Sequence, residues 1–156
     1  MKEKFLNAFM DCAERFAQLS TAIRAKVGAI IVKDNRIISI GYNGMPSGWD
    51  NECETYIGTF TNEGKPTDAS MYKSKPEVLH AETNAIAKVA RSSESCEGAT
   101  LFCTHLPCMD CAKLIYQSGI TSVYYREEYQ AAIGAGKQFL IDSGIKIEQI
   151  SVDNVV

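Results

Sequence analysis

The chain has 156 residues, of which 46% are hydrophobic and 22% are charged, so its length suits one globular domain with a single core, residues 1–156. The formal net charge of −3 at pH 7 argues against a nucleic-acid partner, because binding to nucleic-acid backbones requires a broad basic surface. No apolar run approaches membrane-spanning length and no signal peptide is evident, so we expect the six cysteines to be reduced thiols in a cytoplasm.

The first elements along the chain are an amphipathic helix and a β-hairpin. Apolar side chains recur every three or four residues over 2–19, which predicts a helix whose apolar stripe packs on the core. The runs 27–33 and 36–42 predict two strands, and Asp34-Asn35 between them suits a tight hairpin turn.

A long segment without periodic hydrophobicity, 43–79, follows the hairpin. Glycine and proline recur through it, and a loop of this length in a compact domain is usually functional. We therefore predict that it covers an active site or an effector site, with a short helix near 49–56.

Helices and strands alternate in the second half of the chain. The sequence predicts a helix at 81–91, a strand at 98–104, a helix at 108–117, a strand at 121–125, a helix at 128–142 and a strand at 145–150. Gly119 and Gly144 lie where helix C-terminal caps are expected. Strands separated by helices indicate a parallel segment of sheet joined to an antiparallel hairpin, so the predicted fold class is α/β.

Two short motifs lie at the starts of two of these helices. Residues 80–82 read His-Ala-Glu and residues 107–111 read Pro-Cys-Met-Asp-Cys, which together form the H-x-E…P-C-x-x-C signature of zinc-dependent nucleobase deaminases. His80, Cys108 and Cys111 would be three zinc ligands, which leaves the fourth tetrahedral position open for water. Glu82 is the acid that the motif places beside the metal.

The chemistry of deamination explains why these residue types are needed. Hydroxide must be added to an aromatic ring carbon before ammonia is expelled, and zinc lowers the pKa of a bound water to about 7. A carboxylate beside the metal can take the water's proton, protonate the ring nitrogen and later protonate the leaving amine. The partial positive charge at helix N-termini favours the thiolate form that metal binding by cysteine requires.

Two other interpretations of the Cys-x-x-Cys pair are open at this point. A structural zinc site would need a fourth protein ligand, for which His105 or Cys103 is available. A redox pair would need neither His80 nor Glu82. The presence of both half-motifs, in this order and at helix starts, favours the catalytic site.

With these motifs, the chain resembles the cytidine deaminase superfamily and specifically its dCMP deaminase branch. The resemblance runs from about Val27 to Tyr129, in the segments VGAIIV (27–32), GYNGMPSG (41–48), KPEVLHAETNAIAKVA (75–90), GATLFCTHLPCMDCAKLIYQSGI (98–120) and VYYREEY (123–129). It implies a three-layer α/β/α fold around a five-stranded mixed sheet. The implied reaction is hydrolysis of dCMP to dUMP and ammonia, which supplies thymidylate synthesis.

The resemblance also implies roles for residues outside the zinc motif. Val27, Gly28 and Ala29 would lie against the pyrimidine, where a glycine lets backbone approach a ligand closely; a tight strand crossing would require a small residue equally well. Asn43 would bind the nucleotide sugar or phosphate or, together with Gly44, an effector. Asn-Gly is also the sequence of an ordinary tight turn.

Four basic residues are candidates for phosphate recognition. Arg24 and Lys26, just ahead of the first strand, would contact a phosphate or an effector. Lys73 and Lys75, just before the His-Ala-Glu helix, would meet the 5′-phosphate. For each of them, a solvated surface charge is the alternative.

Two tyrosines follow the strand after the Pro-Cys-Met-Asp-Cys helix. In the family this region closes over the nucleotide, so Tyr125 and Tyr129 would stack on base or sugar, unless they simply pack at a strand end. The family also implies activation by dCTP, inhibition by dTTP, Mg²⁺ with a triphosphate effector, and a homo-oligomer, commonly a hexamer.

A second, structural zinc occurs in some phage relatives of the family. Cys53 lies in the long loop, but the chain has only two histidines and His80 already belongs to the catalytic motif. We therefore expect one zinc per chain, with Cys12, Cys53, Cys96 and Cys103 as ordinary thiols.

Other functions use the same zinc chemistry. A deaminase of cytosine, cytidine, guanine or modified dCMP is the principal alternative. A tRNA adenosine deaminase would need a basic surface that faces RNA, which an acidic chain does not offer. A zinc-stabilised scaffold without activity would have no need of Glu82.

Overall fold

The computed structural model describes residues 1–128 and 136–151. The helices in these ranges are α1 (Glu3–Ala17), α2 (Ala81–Ala90), α3 (Met109–Gln117) and α4 (Lys137–Asp142). The strands are β1 (Gly28–Lys33), β2 (Arg36–Tyr42), β3 (Glu54–Tyr56), β4 (Tyr72–Ser74), β5 (Thr100–His105), β6 (Ser122–Glu127) and β7 (Lys146–Gln149). Within the described ranges, every helix is too short or too polar to cross a membrane.

The main sheet has five strands in the order β2-β1-β5-β6-β7. Strand β1 runs antiparallel to both of its neighbours, whereas β5, β6 and β7 run parallel to one another. The parallel strands are joined through α3 and α4, because a parallel crossover needs a long connection. The predicted five-stranded mixed sheet is confirmed.

Helices cover both faces of this sheet, as the alternation along β1 shows. Ile30 and Val32 point to one face and pack with Met10 of α1. Ile31 points to the other face and packs in a second core with Ala85 of α2, together with residues of α3 and α4. The predicted three-layer α/β/α arrangement is therefore confirmed, and residues 29–32 of β1 are apolar and buried on both faces.

Two glycines set how closely the helices approach the sheet. A Cβ atom on Gly28 would lie 2.7 Å from the backbone nitrogen of Ala17 and would also overlap the carbonyl oxygen of Ala13. A Cβ atom on Gly41 would lie 2.7 Å from the backbone nitrogen of Ala85. Gly28 thus allows α1 to lie against β1, and Gly41 does the same for α2 against β2.

The hairpin turn and the helix caps have the predicted geometry. Asp34 and Asn35 have φ values of 50° and 55°, the left-handed conformation that a type I′ turn requires at both central positions. Gly119 and Gly144, just after α3 and α4, have φ values of 88° and 77°. Both are therefore the C-terminal caps that the sequence predicts.

The segment 43–79 is not a bare loop, and the short helix predicted near 49–56 is wrong. Strand β3 lies there and pairs antiparallel with β4, so that Glu54 faces Ser74 and Tyr56 faces Tyr72. The β-favouring Thr55-Tyr56 pair gains more from this cross-strand pairing than from a helix turn. The result is a small two-stranded sheet beside the main one.

The helix predicted at 128–142 is confirmed only in its last part. Helix α4 begins at Lys137, and Glu128 is not helical. Residues 129–135 lie outside the described ranges.

A buried cation, Arg126 of β6, ties the α1 layer to the end of the described chain. Its Nε donates to Glu14 Oε1 at 2.7 Å, and its guanidinium lies 3.6 Å from Asp11. The remaining guanidinium nitrogen donates to the backbone carbonyls of Ile150 and Ser151. The Arg126 side chain is only 6% exposed, so its charge loses hydration on folding. These partners offset the desolvation penalty.

Candidate active site

Two helix starts bring the metal-ligand motif together. His80 directly precedes α2, Cys108 directly precedes α3, and Cys111 lies in the first turn of α3. His80 Nδ1 lies 3.6 Å from Cys108 Sγ and 3.3 Å from Cys111 Sγ. All three donor atoms lie within 4.8 Å of one another.

These distances fit a tetrahedral zinc ion. Zinc–sulfur and zinc–nitrogen bonds of normal length place the two ligand atoms roughly 3.6 Å apart. Neither Cys103 nor His105 belongs to the ligand group that the described residues form. A four-ligand structural site built from either residue is therefore not supported, and the group offers three protein ligands, the number found in catalytic zinc sites.

The two cysteines are already polarised in the way that metal ligands need. A hydrogen bond from the Cys111 thiol, together with the interaction with His80, lowers the pKa of Cys108 to about 4. The same hydrogen bond, together with burial, raises the pKa of Cys111. The hydrogen bond with Cys108 also raises the pKa of His80. Cys108 is therefore the more readily ionised of the two thiols, and zinc binding would require Cys111 to lose its proton as well.

Glu82 lies beside this group in the first turn of α2 and is only 4% exposed. Burial raises the pKa of its carboxyl, because the charged form loses its hydration. The Cys103 thiol lies close by, and burial together with Glu82 raises its pKa well above the ordinary value, so that it stays protonated. A carboxyl with a raised pKa can accept and release protons near neutral pH, which is what a proton shuttle requires.

A cavity of about 340 Å³ opens over His80, Glu82 and Cys108. Its volume is within the range of small-molecule sites. Its wall also contains Ala22, Arg24, Ala25, Val27, Asn43, Glu54, Ser74, Lys75, Pro76, Val78, Ala81, His105 and Leu106. The long segment 43–79 contributes six of these residues, as its predicted role in covering a site requires.

The three residues predicted to lie against the pyrimidine have different surroundings. Val27 borders the cavity. Ala29 faces the core beneath α2 and α3. Gly28 faces α1. The close approach of Ala17 is a sufficient reason for a glycine at this position, so contact with a ligand is not needed to explain it. Pyrimidine contact by Gly28 and Ala29 stays a prediction that the cavity wall does not support.

Asn43 borders the cavity, but its side chain is engaged within the chain. Its Oδ1 accepts from the Val27 backbone at 2.8 Å and its Nδ2 donates to the Ala25 carbonyl at 2.8 Å. It therefore holds the segment ahead of β1 against the end of β2. Gly44 pairs with Leu79 through two backbone hydrogen bonds, which fix the two ends of the 43–79 segment together. Sugar or effector contact by either residue stays a prediction.

The basic candidates divide into two groups. Arg24 and Lys75 border the cavity, and the Lys75 ammonium lies 3.8 Å from carboxylate oxygens of both Asp50 and Glu52. Lys26 lies instead on a second, shallower depression on the α1 side of the sheet, and Lys73 is exposed on β4.

Tyr125 does not border the cavity. It is fully buried, its hydroxyl donates to Glu128 at 2.7 Å, and the Lys137 ammonium donates to the same hydroxyl at 2.7 Å. These bonds join the end of β6 to the start of α4. They agree with the alternative that Tyr125 packs at a strand end and does not stack on the nucleotide. Tyr129 lies outside the described residues.

Two ionisable cavity residues, His105 and Glu54, have no role in the sequence prediction of the substrate site. His105 was considered only as a zinc ligand; its Nδ1 lies 2.9 Å from the Thr104 hydroxyl, which accepts from the Gly28 backbone at 3.1 Å. Burial lowers the pKa of His105, which favours the neutral ring. Glu54 lies in a segment whose strand pairing the sequence did not predict, so no local signal placed it at the site.

Cys53 is buried on the same side of the molecule, with its Sγ 3.5 Å from the Thr21 hydroxyl. Among the described residues, His80, Cys108 and Cys111 are the group assembled closely enough to hold a metal. One zinc per chain stays a prediction.

Gly136 provides a way to disturb the ligand set without removing a ligand. Its N–H donates to the Pro107 carbonyl at 2.9 Å, and a Cβ there would lie 2.8 Å from the Cys108 carbonyl oxygen and would overlap Ala112. We expect Gly136→Ala to weaken zinc binding about tenfold or more. The reason is that changes to the groups that orient metal ligands typically lower metal affinity by about that factor. Competition with a zinc chelator measures the change. Gly44→Ala, where a Cβ meets nothing within 4 Å, is the matched control; an equal loss in both variants would contradict the explanation.

Comparison with known families adds an independent line of information. The family model described as the cytidine and deoxycytidylate deaminase zinc-binding region matches residues 3–127. That range contains all three ligand candidates and Glu82.

Individual relatives agree with the family match. The deoxycytidylate deaminase of Enterobacteria phage T4 is 35% identical over 94% of this chain and 90% of that protein. The human deoxycytidylate deaminase is 36% identical over 77% of this chain and 63% of its own length. A crystal structure of dCMP deaminase from the cyanophage S-TIM5, in complex with dCMP and dUMP, superposes with a TM-score of 0.81 at 44% identity, covering 96% of this chain and 99% of that one.

Proposed function

Because the chain belongs to the cytidine and deoxycytidylate deaminase family, we propose that it is a zinc-dependent hydrolase that converts dCMP to dUMP and ammonia. The observation that carries the proposal is the placement of Glu82 beside the His80, Cys108 and Cys111 group on the wall of one cavity. The S-TIM5 relative, which has dCMP and dUMP bound, supports the choice of nucleotide.

Each residue of the group has a separate task in this reaction. His80, Cys108 and Cys111 would hold the zinc, which when bound supplies an activated water. The Glu82 carboxylate accepts a proton from that water and donates it to the ring nitrogen next to the amino-bearing carbon. It then carries a second proton to the departing amine. The burial that raises the pKa of Glu82 makes its carboxylate a better proton acceptor than an exposed glutamate, which supports this role.

The charges on the cavity wall orient the nucleotide. Its reacting end must lie at Glu82, so the phosphate lies at the opposite end of the cavity wall. Arg24 and Lys75 are the cations on the cavity wall, and a guanidinium or ammonium binds a phosphate dianion through charge-assisted hydrogen bonds. Val27 also lines the cavity, which supports the proposal that it contacts the pyrimidine ring.

Arg24→Ala should raise KM for dCMP by about 10- to 100-fold, since a hydrogen bond to a charged group contributes on the order of 1.5–3 kcal/mol. Turnover of deoxycytidine, which lacks the phosphate, should change little. Steady-state kinetics with both substrates measure the difference. Lys26→Ala, which removes an equal charge outside the cavity, is the control. An equal loss with both substrates would contradict a phosphate contact.

The activity itself is tested by ammonia release from zinc-loaded protein with dCMP, deoxycytidine, CMP, cytosine and guanine. A strong preference for dCMP is the expected result. If only an unphosphorylated base or nucleoside were turned over, the zinc-dependent deamination would stand, but the assignment of dCMP as the substrate would be overturned. A methylated or hydroxymethylated dCMP in the same assay tests acceptance of modified substrates.

Regulation, assembly and location belong to the same proposal, and the family resemblance is their support. We propose activation by dCTP with Mg²⁺, inhibition by dTTP, a homo-oligomer of hexameric type, and a cytoplasmic enzyme that supplies dUMP for thymidylate synthesis. The six cysteines, all unpaired, suit that compartment. Opposite shifts of the dCMP saturation curve by dCTP and dTTP are expected, and no response to either would overturn the regulation.

A further inference from the structure

Glu54 is the acidic residue on the cavity wall that the deamination chemistry does not use. It begins β3 and faces Ser74 of β4, so the small two-stranded sheet delivers both side chains to the cavity. Because backbone pairing fixes the strand, the carboxyl group is held at a defined place on the wall.

The two oxygens of this carboxyl have different surroundings. Oε1 accepts hydrogen bonds from the backbone N–H groups of Ile23 at 2.9 Å and Arg24 at 3.2 Å. Oε2 is buried and has no hydrogen-bond partner in the part of the chain that the structure describes. A buried acceptor left without a donor is costly, so such an oxygen usually marks a place where a donor arrives from outside.

Two of the neighbouring polar side chains, Asn43 and Lys75, lie against other residues of the chain. Both amide atoms of Asn43 are bonded to the segment ahead of β1. The Lys75 ammonium lies between Asp50 and Glu52, at 3.8 Å from each. Within the described residues no group donates to Glu54 Oε2, so a molecule that occupies the cavity can supply the missing donor.

The chemistry of dCMP leaves one group for this role. The nucleotide has two hydrogen-bond donors, the ring amino group and the 3′-hydroxyl, since its phosphate, ring nitrogen and carbonyl are acceptors. The amino group is the leaving group and lies at Glu82. The 3′-hydroxyl is therefore the donor that can reach the wall formed by β3.

We propose that Glu54 Oε2 accepts a hydrogen bond from the 3′-hydroxyl of the deoxynucleotide and thereby selects substrates with a free 3′ end. The inference rests on the proposed dCMP deaminase function. A 3′-phosphate, or the 3′-phosphodiester of a polynucleotide, would bring a negative charge against the carboxylate with no proton to donate. Glu54 thus restricts an enzyme with base-deaminating chemistry to free mononucleotides.

The test compares kcat/KM for dCMP and 2′,3′-dideoxycytidine 5′-monophosphate. The unmodified enzyme should lose about 10- to 100-fold on removal of the 3′-hydroxyl, as expected for a hydrogen bond to a charged group. Glu54→Gln keeps an oxygen for the Ile23 and Arg24 backbones but replaces the second acceptor with an NH₂ group, so the same comparison should give about threefold or less. Glu52→Gln, an equal charge change on the exposed rim, should behave like the unmodified enzyme.

Deoxycytidine 3′,5′-bisphosphate provides the second arm. The unmodified enzyme should reject it more strongly than the dideoxynucleotide, and Glu54→Gln should relax that rejection. Glu54→Ala, compared by circular dichroism and thermal unfolding, separates loss of the hydroxyl contact from displacement of the Ile23–Arg24 segment. An identical 3′-hydroxyl effect in the unmodified enzyme and Glu54→Gln would overturn the inference. Absence of dCMP turnover in the unmodified enzyme would instead overturn the proposed function.

Discussion

Glu82→Gln should lower kcat for dCMP at the upper end of the range of about 10²- to 10⁴-fold that general acid–base catalysis contributes. The reason is that one carboxyl group serves each proton transfer, and an amide can perform none of them. Zinc content, measured by elemental analysis, should stay at the level of the unmodified protein, because Glu82 is not one of the three assembled ligands.

The same substitution should not lower stability. Burial raises the folded-state pKa of Glu82 above its unfolded value, so folding is disfavoured by this group as pH rises above the unfolded pKa. Glutamine does not ionise and removes that penalty. Metal-free Glu82→Gln should therefore unfold at or above the temperature of the unmodified protein at pH 8, with a smaller difference at pH 4.

Glu77→Gln is the control for a general effect of removing an acid from the same region, since Glu77 is exposed. It should retain full turnover. Substantial activity in Glu82→Gln, with zinc bound and the fold intact, would show that another group moves the protons.

Cys111→Ser should abolish stoichiometric zinc binding and turnover together. The Cys111 side chain is 1% exposed and its sulfur lies 3.3 Å from His80 Nδ1, so no solvent group can take its place without local rearrangement. Zinc at 100 times its dissociation constant stabilises the folded chain by about 2.7 kcal/mol. The thermal midpoint of the unmodified protein should therefore fall on chelation, whereas that of Cys111→Ser should not respond.

Cys96→Ser is the matched control, because Cys96 is also buried but is not part of the ligand group. It should lose some stability from the buried hydroxyl and keep its zinc. A Cys111→Ser protein that still binds one zinc per chain, with a zinc-dependent midpoint, would contradict the ligand assignment. Testing Cys103→Ser alongside shows whether that nearby thiol can substitute as a ligand.

Sequence patterns predicted most of the fold because its principal elements carry local signals. The stripe of α1, the β1–β2 hairpin with its Asp34-Asn35 turn, and the alternation of strands and helices after residue 80 all depend on periodicity or turn chemistry. Strands β3 and β4 were missed because each has three residues. Strands this short are stabilised by their partner across the sheet, which a local pattern does not reveal.

The candidate site likewise contains residues that a local pattern predicts and residues whose surroundings only the fold reveals. The candidate metal ligands and Glu82 follow fixed spacings at helix starts, so the motif was sufficient to predict which residues lie together. The surroundings of Asn43 and Tyr125 depend on residues from other elements, and only the fold shows that their polar atoms are engaged within the chain. Glu54 contacts Ile23 and Arg24 about thirty positions earlier in the chain, a separation beyond any local pattern.

The origin of the metal ligands in two helices has a mechanical consequence. Helix α2 packs on β1 and β2, the antiparallel half of the sheet, whereas α3 connects the parallel strands β5 and β6. A zinc ion held by His80 on one side and by Cys108 and Cys111 on the other would cross-link these two halves of the sheet. Zinc bound there would restrain the starts of α2 and α3 relative to each other, so their spacing would be set jointly by the metal and by the sheet on which the helices pack.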